Sequence, residues 1–279
     1  MIHTSKQLKD KVRNISKGDS NIAKALIRNF IMERFLERIS VSDYRSHFIL
    51  KGGMLVASII GIDMRATMDI DTTVKSLPVN MDDSKRIVSG ICAVQLDDGV
   101  TFHITSVSDI MTDFEYPGIR IVLEAKLERL RQAIKIDIST DDIITPSAVE
   151  YEYKLMFEDR AIQLFTYNVE TLLAEKIQTI LAKGIANTRL RDFYDVYEIM
   201  KICAVRVDKV TLSQAFGATC KKRETVFSKQ EMIELLTMIE KDAGMAGMWE
   251  QYKKRNYFVG DLEWKTVFNG VLNTIYTYF

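Results

Sequence analysis

Apolar residues recur along this chain with two different periods, and the change between them divides it. From Val169 onward they return every three to four residues, the spacing of helices buried on one side. Asn168 caps a helix predicted over Val169 to about Ala182 and Gly184 stops it; further helices are predicted at Thr188 to Lys201, Val210 to Arg223, Lys229 to Glu240, Met245 to Lys254 and Trp264 to Tyr278. The front half mixes periods. Asp19 or Ser20 starts a helix to about Ile39, with Ile22, Leu26, Ile27, Phe30, Phe35 and Leu36 as its apolar side. Phe48 to Leu50 reads as a strand, followed by the Gly52-Gly53 turn, a short apolar helix ended by Gly61, a loop from Ile62 to Ala66 and a strand carrying Asp69 and Asp71. Asp82 to Val88 reads as helix. FHITSVSDI and GIRIVLEAKLE are strand candidates punctuated by Pro117-Gly118, and AIKIDIS alternates cleanly, Ile134, Ile136 and Ile138 against Ala133, Lys135, Asp137 and Ser139. Two further short strands, YKLMF and AIQLF, are predicted after Val149. The expectation is an α/β protein: a mixed sheet with flanking helices over residues 1–150, Pro146 near its edge, then a mostly helical domain over 151–279.

Length and composition narrow the classes. At 279 residues the chain holds one large or two modest domains, and its 47% apolar content supplies an ordinary core. No apolar run approaches the about 18 residues of a membrane span, and the polar start MIHTSKQLKDKVRNISKGDS is unlike a signal peptide, so a cytoplasmic protein with no membrane partner is expected. Cys92, Cys203 and Cys220 lack metal-site spacing and read as free thiols. Net charge is zero, which removes whole-molecule steering toward nucleic acid, but Gly61 to Gly118 carries ten acidic residues against four basic, and Lys201 to Phe279 twelve basic against nine acidic. An acidic front half suits metal sites; a mildly basic rear suits RNA or an acidic partner.

The chemistry concentrates in HFILKGGMLVASIIGIDMRATMDIDTT. Alternate strand residues share a face and lie roughly 6.5–7 Å apart, so Asp69 and Asp71 project together as a hard-oxygen site of the kind that holds Mg²⁺. The Gly52-Gly53 turn opens a helix whose first N–H groups and positive dipole end suit a phosphate. An Asp-x-Asp pair alone is most often a turn or a surface strand; the Gly-Gly turn and the isolated Asp137 in an apolar strand, a candidate third ligand, weigh toward a nucleotide-transfer site. Lys176 interrupts the apolar face formed by Leu172, Leu173, Ile177 and Ile180; it either snorkels to the surface or enters a cleft to grip phosphate. In NTRLRDFYDVY, Arg191 and Asp195 are spaced for a surface ion pair, and Asp192 is turned about 100° away on the helix, either buried with a partner or functional. Arg189 and Arg191 are candidates for the nucleic-acid side.

Six blocks, KGGMLVAS, RATMDID, GIRIVLEA, IKIDIST, ETLLAEKIQTIL and TRLRDFYDVY, resemble in order those of the AbiEii/AbiGii toxins, nucleotidyltransferase-like proteins of the DNA polymerase β superfamily found in abortive-infection and type IV toxin–antitoxin systems. The resemblance covers roughly Phe48 to Lys201. It implies a polymerase-β-type nucleotidyltransferase sheet followed by a helical domain that contributes Lys176 and Asp192 to the cleft. Lys51, Gly52, Gly53, Arg65, Thr67 and Lys176 would bind the nucleotide; Asp69, Asp71, Lys176 and Asp192 would be catalytic; Asp69, Asp71 and Asp137 would hold Mg²⁺. It further implies a nucleoside triphosphate substrate, GTP or CTP among them, transferred to the 3′ end of tRNA to halt translation in antiviral defence. A cognate antitoxin encoded nearby and a monomeric toxin complete that expectation. The alternatives are nucleotidylation of a protein target, and a nucleotide-binding toxin that acts through a partner without transfer.

Overall fold

In a computed structural model of the chain, residues 1–61, 65–110 and 118–279 are described. The chain forms two compact units. The first takes Met1–Ser58, Arg65–Asp142 and Val149–Thr166; the second takes Ile143–Ala148 and Tyr167–Phe279, together with the stretch that starts at Ile59.

The first unit is built on seven strands: β1 (Phe48–Lys51), β2 (Asp69–Val74), β3 (Val100–Ile110), β4 (Gly118–Leu127), β5 (Leu130–Ser139), β6 (Val149–Lys154) and β7 (Ala161–Thr166). Their order across the sheet is β3-β4-β5-β2-β1-β7-β6. β2 occupies the middle, parallel to β5 and antiparallel to β1. The alternation of AIKIDIS is realised in β5: Ile134, Ile136 and Ile138 are buried and their neighbours face the other side. The sheet runs past Pro146, because β7 pairs with β1 and β6 with β7. β6 begins at Val149, earlier than YKLMF suggested. Leu155 N–H already donates to Arg160 carbonyl across the hairpin end, so the apolar run Leu155-Met156-Phe157 forms the turn. Pro117 and most of the loop expected from Ile62 to Ala66 lie outside the described residues.

Four helices belong to these segments: α1 (Ser5–Ser16), α2 (Ser20–Val41), α3 (Gly52–Ile60) and α4 (Met81–Ala93). α1 was not anticipated, because only Leu8 and Val12 of its turns enter the core among charged neighbours. Its signal is local: Thr4 and Gln7 form a reciprocal capping box. Asp19 caps α2 with hydrogen bonds from Asn21 and Ile22 N–H. α3 is apolar on every side and its Met54, Leu55, Val56 and Ala57 are buried, as such a helix requires; Gly61 beyond its last residue has φ 102°. α2 also buries charge. Arg38 forks onto Asp98 at 2.7 and 3.0 Å and donates to Val100 carbonyl, while Arg34 meets Glu37 at 3.0 Å and Glu158 at 3.3 Å, and Arg160 closes on both of those acids.

The second unit is helical: α5 (Val169–Lys183), α6 (Leu190–Cys203), α7 (Lys209–Lys222), α8 (Lys229–Lys241), α9 (Ala243–Arg255) and α10 (Trp264–Tyr278). Asn168 caps α5 by accepting from Thr171 N–H, and Asp242 ends α8 and caps α9. An aromatic cluster fixes α6, α9 and α10, with Phe193–Trp264 and Trp249–Trp264 centroids 5.1 and 5.8 Å apart. Among the described residues no helix is long and apolar enough to cross a membrane.

Candidate active site

In the first unit, four charged positions line up across four adjacent strands. The registers set Lys51 opposite Asp71, Asp71 opposite Asp137, and Asp137 opposite Arg120. Directly opposed residues on paired strands share a face, so the row reads plus, minus, minus, plus from β1 to β4. One pleat along, Asp69 stands opposite Lys135. The predicted pair Asp69 and Asp71 is therefore joined on its face by Asp137, as expected from the isolated acid in β5.

The three carboxylates are not equivalent. Asp69 Oδ1 is buried and accepts no hydrogen bond among the described residues. Burial first, then the charges of Asp137 and Asp71, hold the Asp69 carboxyl above its ordinary range, against Lys135 and Arg120. Asp71 Oδ2 accepts from Gly53 N–H at 3.2 Å, so the amide expected to be open for phosphate is in contact with the acid pair. Asp137 is claimed by Arg120, whose Nε and Nη2 donate to its two oxygens at 2.8 and 2.6 Å. This bidentate pair is a charge-assisted fork of the strong kind, and it raises the Arg120 guanidinium still further. Among the described residues no group of three or more acids, histidines or cysteines is disposed to hold a metal ion. The donor set still fits a hard divalent cation: two carboxylates from one strand, one of their oxygens without a hydrogen bond among the described residues, and a third carboxylate beside them.

The glycine turn explains itself sterically. Gly52 has φ 60°, and a Cβ there would lie 2.6 Å from Asp71 Cγ. A Cβ on Gly53 would lie 3.0 Å from Thr67 Cβ, inside its hydroxyl. The two glycines thus let the backbone of α3 approach Asp71 and Thr67, the close approach for which glycine is required. Arg65 is buried beside the same turn and donates to Ala66 carbonyl; Thr67 is buried and donates to Asp69 carbonyl at 3.3 Å. Lys51, assigned to the nucleotide from sequence, is 5% exposed and its Nζ lies 2.5 Å from Asp142, which also accepts from Ser139.

The remaining predicted residues belong to the second unit. Lys176 neither snorkels nor stands alone: its Nζ lies 2.6 Å from Asp195 Oδ2 and 3.2 Å from Asp192 Oδ1. Asp195, expected to pair with Arg191 on the surface, is instead buried on Lys176. Asp192 is 4% exposed; its Oδ2 accepts no hydrogen bond among the described residues and faces Arg189 Nε at 3.6 Å. One lysine between two buried acids is a second arrangement with an unfilled oxygen. Arg191 is half-buried on α6.

Sequence reasoning passed over Arg120, Lys135 and Asp195. Arg120 sits in the block GIRIVLEA, where a charge between Ile119 and Ile121 of an apolar strand is the signal that could have found it. Asp195 was hidden by an i,i+4 partner that satisfied the simpler rule.

A family model described as nucleotidyl transferase AbiEii toxin, type IV toxin–antitoxin system, matches residues 34–269. No curated protein matches the chain. Two solved structures are similar to it. One is a protein from H. pylori provisionally assigned as a nucleotidyltransferase, 15% identical, covering 91% of this chain and 96% of its own, with TM-score 0.47. The other is JHP933 from Helicobacter pylori, 15% identical over 84% of this chain and 97% of its own, with TM-score 0.44.

Proposed function

The chain belongs to the AbiEii family of nucleotidyl transferase toxins of type IV toxin–antitoxin systems, and from there we propose that it transfers a nucleotide from a nucleoside triphosphate to the 3′ end of tRNA, using Mg²⁺ held by Asp69 and Asp71. The observation that supports this reading most is Asp69 Oδ1: buried, unbonded among the described residues and beside two further carboxylates, an arrangement that costs stability unless a cation binds there. When bound, such an ion supplies positive charge and a Lewis acid against the triphosphate. Asp137 joins the ligand set only once Arg120 releases it.

The chain's own groups divide the work. Asp69 and Asp71 fix the cation, and Gly52 and Gly53 keep the backbone close to Asp71 and Thr67, so that the Gly53 amide and the Thr67 hydroxyl can turn to phosphate oxygens. Arg65 and Lys51 hold that turn and the end of β1 in place. Lys176 offsets charge on the transferring phosphoryl group and departing pyrophosphate, and Asp192 Oδ2 accepts the proton of the attacking hydroxyl. Arg189 and Arg191 serve the acceptor's phosphates. GTP and CTP are the triphosphates to try first. In the cell this activity would halt translation in the cytoplasm as an antiviral defence, exerted by a monomer and opposed by a cognate antitoxin encoded nearby.

Incubating the pure protein with total tRNA, Mg²⁺ and each labelled triphosphate in turn tests the proposal. Label in RNA that disappears in Asp69→Asn is the expected result. Label on a protein would move the acceptor to a protein target. Nucleotide binding with no label anywhere would replace transfer by a binding role through a partner.

A further inference from the structure

The fork between Arg120 and Asp137 adds a side-chain contact to strands that the backbone and the core already join. β4 and β5 are already paired over ten positions from Gly118–Ser139 to Leu127–Leu130 and carry Ile121 and Ile136 fully buried on the other face. The fork lies on the face of the acid row, directly beside Asp71, with side-chain exposures of 36% for Arg120 and 18% for Asp137. The fork is bidentate and part-buried, so it adds to the pairing of the two strands, but strand pairing alone does not call for it beside a row of acids. Its position makes it matter, because two like-charged residues directly opposed on paired strands repel, and Asp71 and Asp137 are such a pair. The guanidinium presents a permanent positive charge, and its two N–H groups take both oxygens of Asp137, the atoms a second divalent ion would need.

We propose that Arg120 is an internal cation that takes the place of a second metal ion: it reserves Asp137 and keeps the acid row a one-ion site until substrate arrives. This rests on the reading of Asp69 and Asp71 as the metal ligands, and deepens it. The triphosphate, once present, competes for the same guanidinium, since arginine binds phosphate in the same forked manner as carboxylate. Phosphate capture by Arg120 and release of Asp137 are then one event, so that the second ligand set completes only in the presence of nucleotide.

The test uses Mn²⁺ alone, added to the full-length protein without nucleotide and followed by its electron paramagnetic resonance signal. Wild type is expected to bind one ion and Asp71→Asn none. Arg120→Gln is expected to bind two, or to bind with an affinity raised on the order of tenfold, as removal of a neighbouring positive charge predicts. The double variant Arg120→Gln/Asp137→Asn is expected to return to one. Arg120→Gln with wild-type stoichiometry and affinity would overturn the proposal. Equal binding by wild type and Asp71→Asn would instead remove the metal site itself, a failure distinct from that of Arg120.

Discussion

Two sets of buried charge lie in the first unit, and they are assembled on opposite terms. Along α2, three acids meet a guanidinium: Asp98 takes the fork of Arg38, and Glu37 and Glu158 are shared by Arg34 and Arg160, while Glu33, buried with Met156 N–H donating to it, keeps its proton instead. On β2, Asp69 has an oxygen with no hydrogen bond among the described residues and two carboxylates as neighbours. The first set is the more deeply buried of the two, so depth of burial does not mark a functional site. Incomplete compensation does, because a structural ion pair that leaves an acid unanswered is selected against by its own desolvation cost. In the second unit, Lys176 lies between Asp192 and Asp195, and Arg189 stands 3.6 Å from Asp192 Oδ2, an oxygen that accepts no hydrogen bond among the described residues.

Mutations can break that contrast or sharpen it. Arg38→Ala leaves Asp98 buried and unpaired, and should cost about 3–5 kcal/mol in urea unfolding; a change below about 1 kcal/mol would place the α2 network among dispensable contacts. Asp69→Asn should do the reverse, leaving the melting temperature unchanged or higher while label transfer falls about 10²- to 10³-fold; parallel loss of fold and transfer would make Asp69 structural. Gly52→Ala combines a positive φ with an intrusion on Asp71, and should destabilise by about 2–4 kcal/mol and weaken transfer beyond what the lost fold explains. The last effect is a pH dependence within α2 itself. Burial pushes Glu33 up to about 8 from an ordinary 4.5, so the folded protein retains a proton that the unfolded chain releases. Its contribution to stability is full below about pH 4.5 and declines as pH rises to about 8. Between pH 6 and 9 wild type should therefore lose about 3 kcal/mol that Glu33→Gln keeps, read from paired unfolding curves. Parallel curves would remove Glu33 from the account.

Much of the architecture could be read from periodicity alone. Helices with one apolar stripe, such as Trp264–Tyr278, and strands with strict alternation, such as AIKIDIS, state their own geometry. α1 could not be read that way, because two buried apolar residues, Leu8 and Val12, among charges leave too faint a stripe. Nor could the extension of the sheet by β6 and β7, since pairing across the chain is decided by β1 and not by local composition. The types and spacing of Asp69, Asp71 and Asp137 in the first unit, and of Lys176 and Asp192 in the second, were legible, and so was their unusual setting among apolar residues. Which charge answers which was not. The assignment of Asp137 to Arg120, of Lys51 to Asp142 and of Asp195 to Lys176 depends on strand register and helix packing, which no window of sequence contains.

The strand that leads into the glycine turn has its outer neighbour far downstream: β1 is flanked by β7, which ends at Thr166. A growing polypeptide therefore carries Asp69, Asp71 and Asp137 well before the edge beside Lys51 is covered. Cutting such a chain near residue 150 would yield an open-edged fragment prone to sticking to its copies, not a smaller working catalyst. For a toxin, this means that an interrupted round of synthesis leaves debris rather than poison.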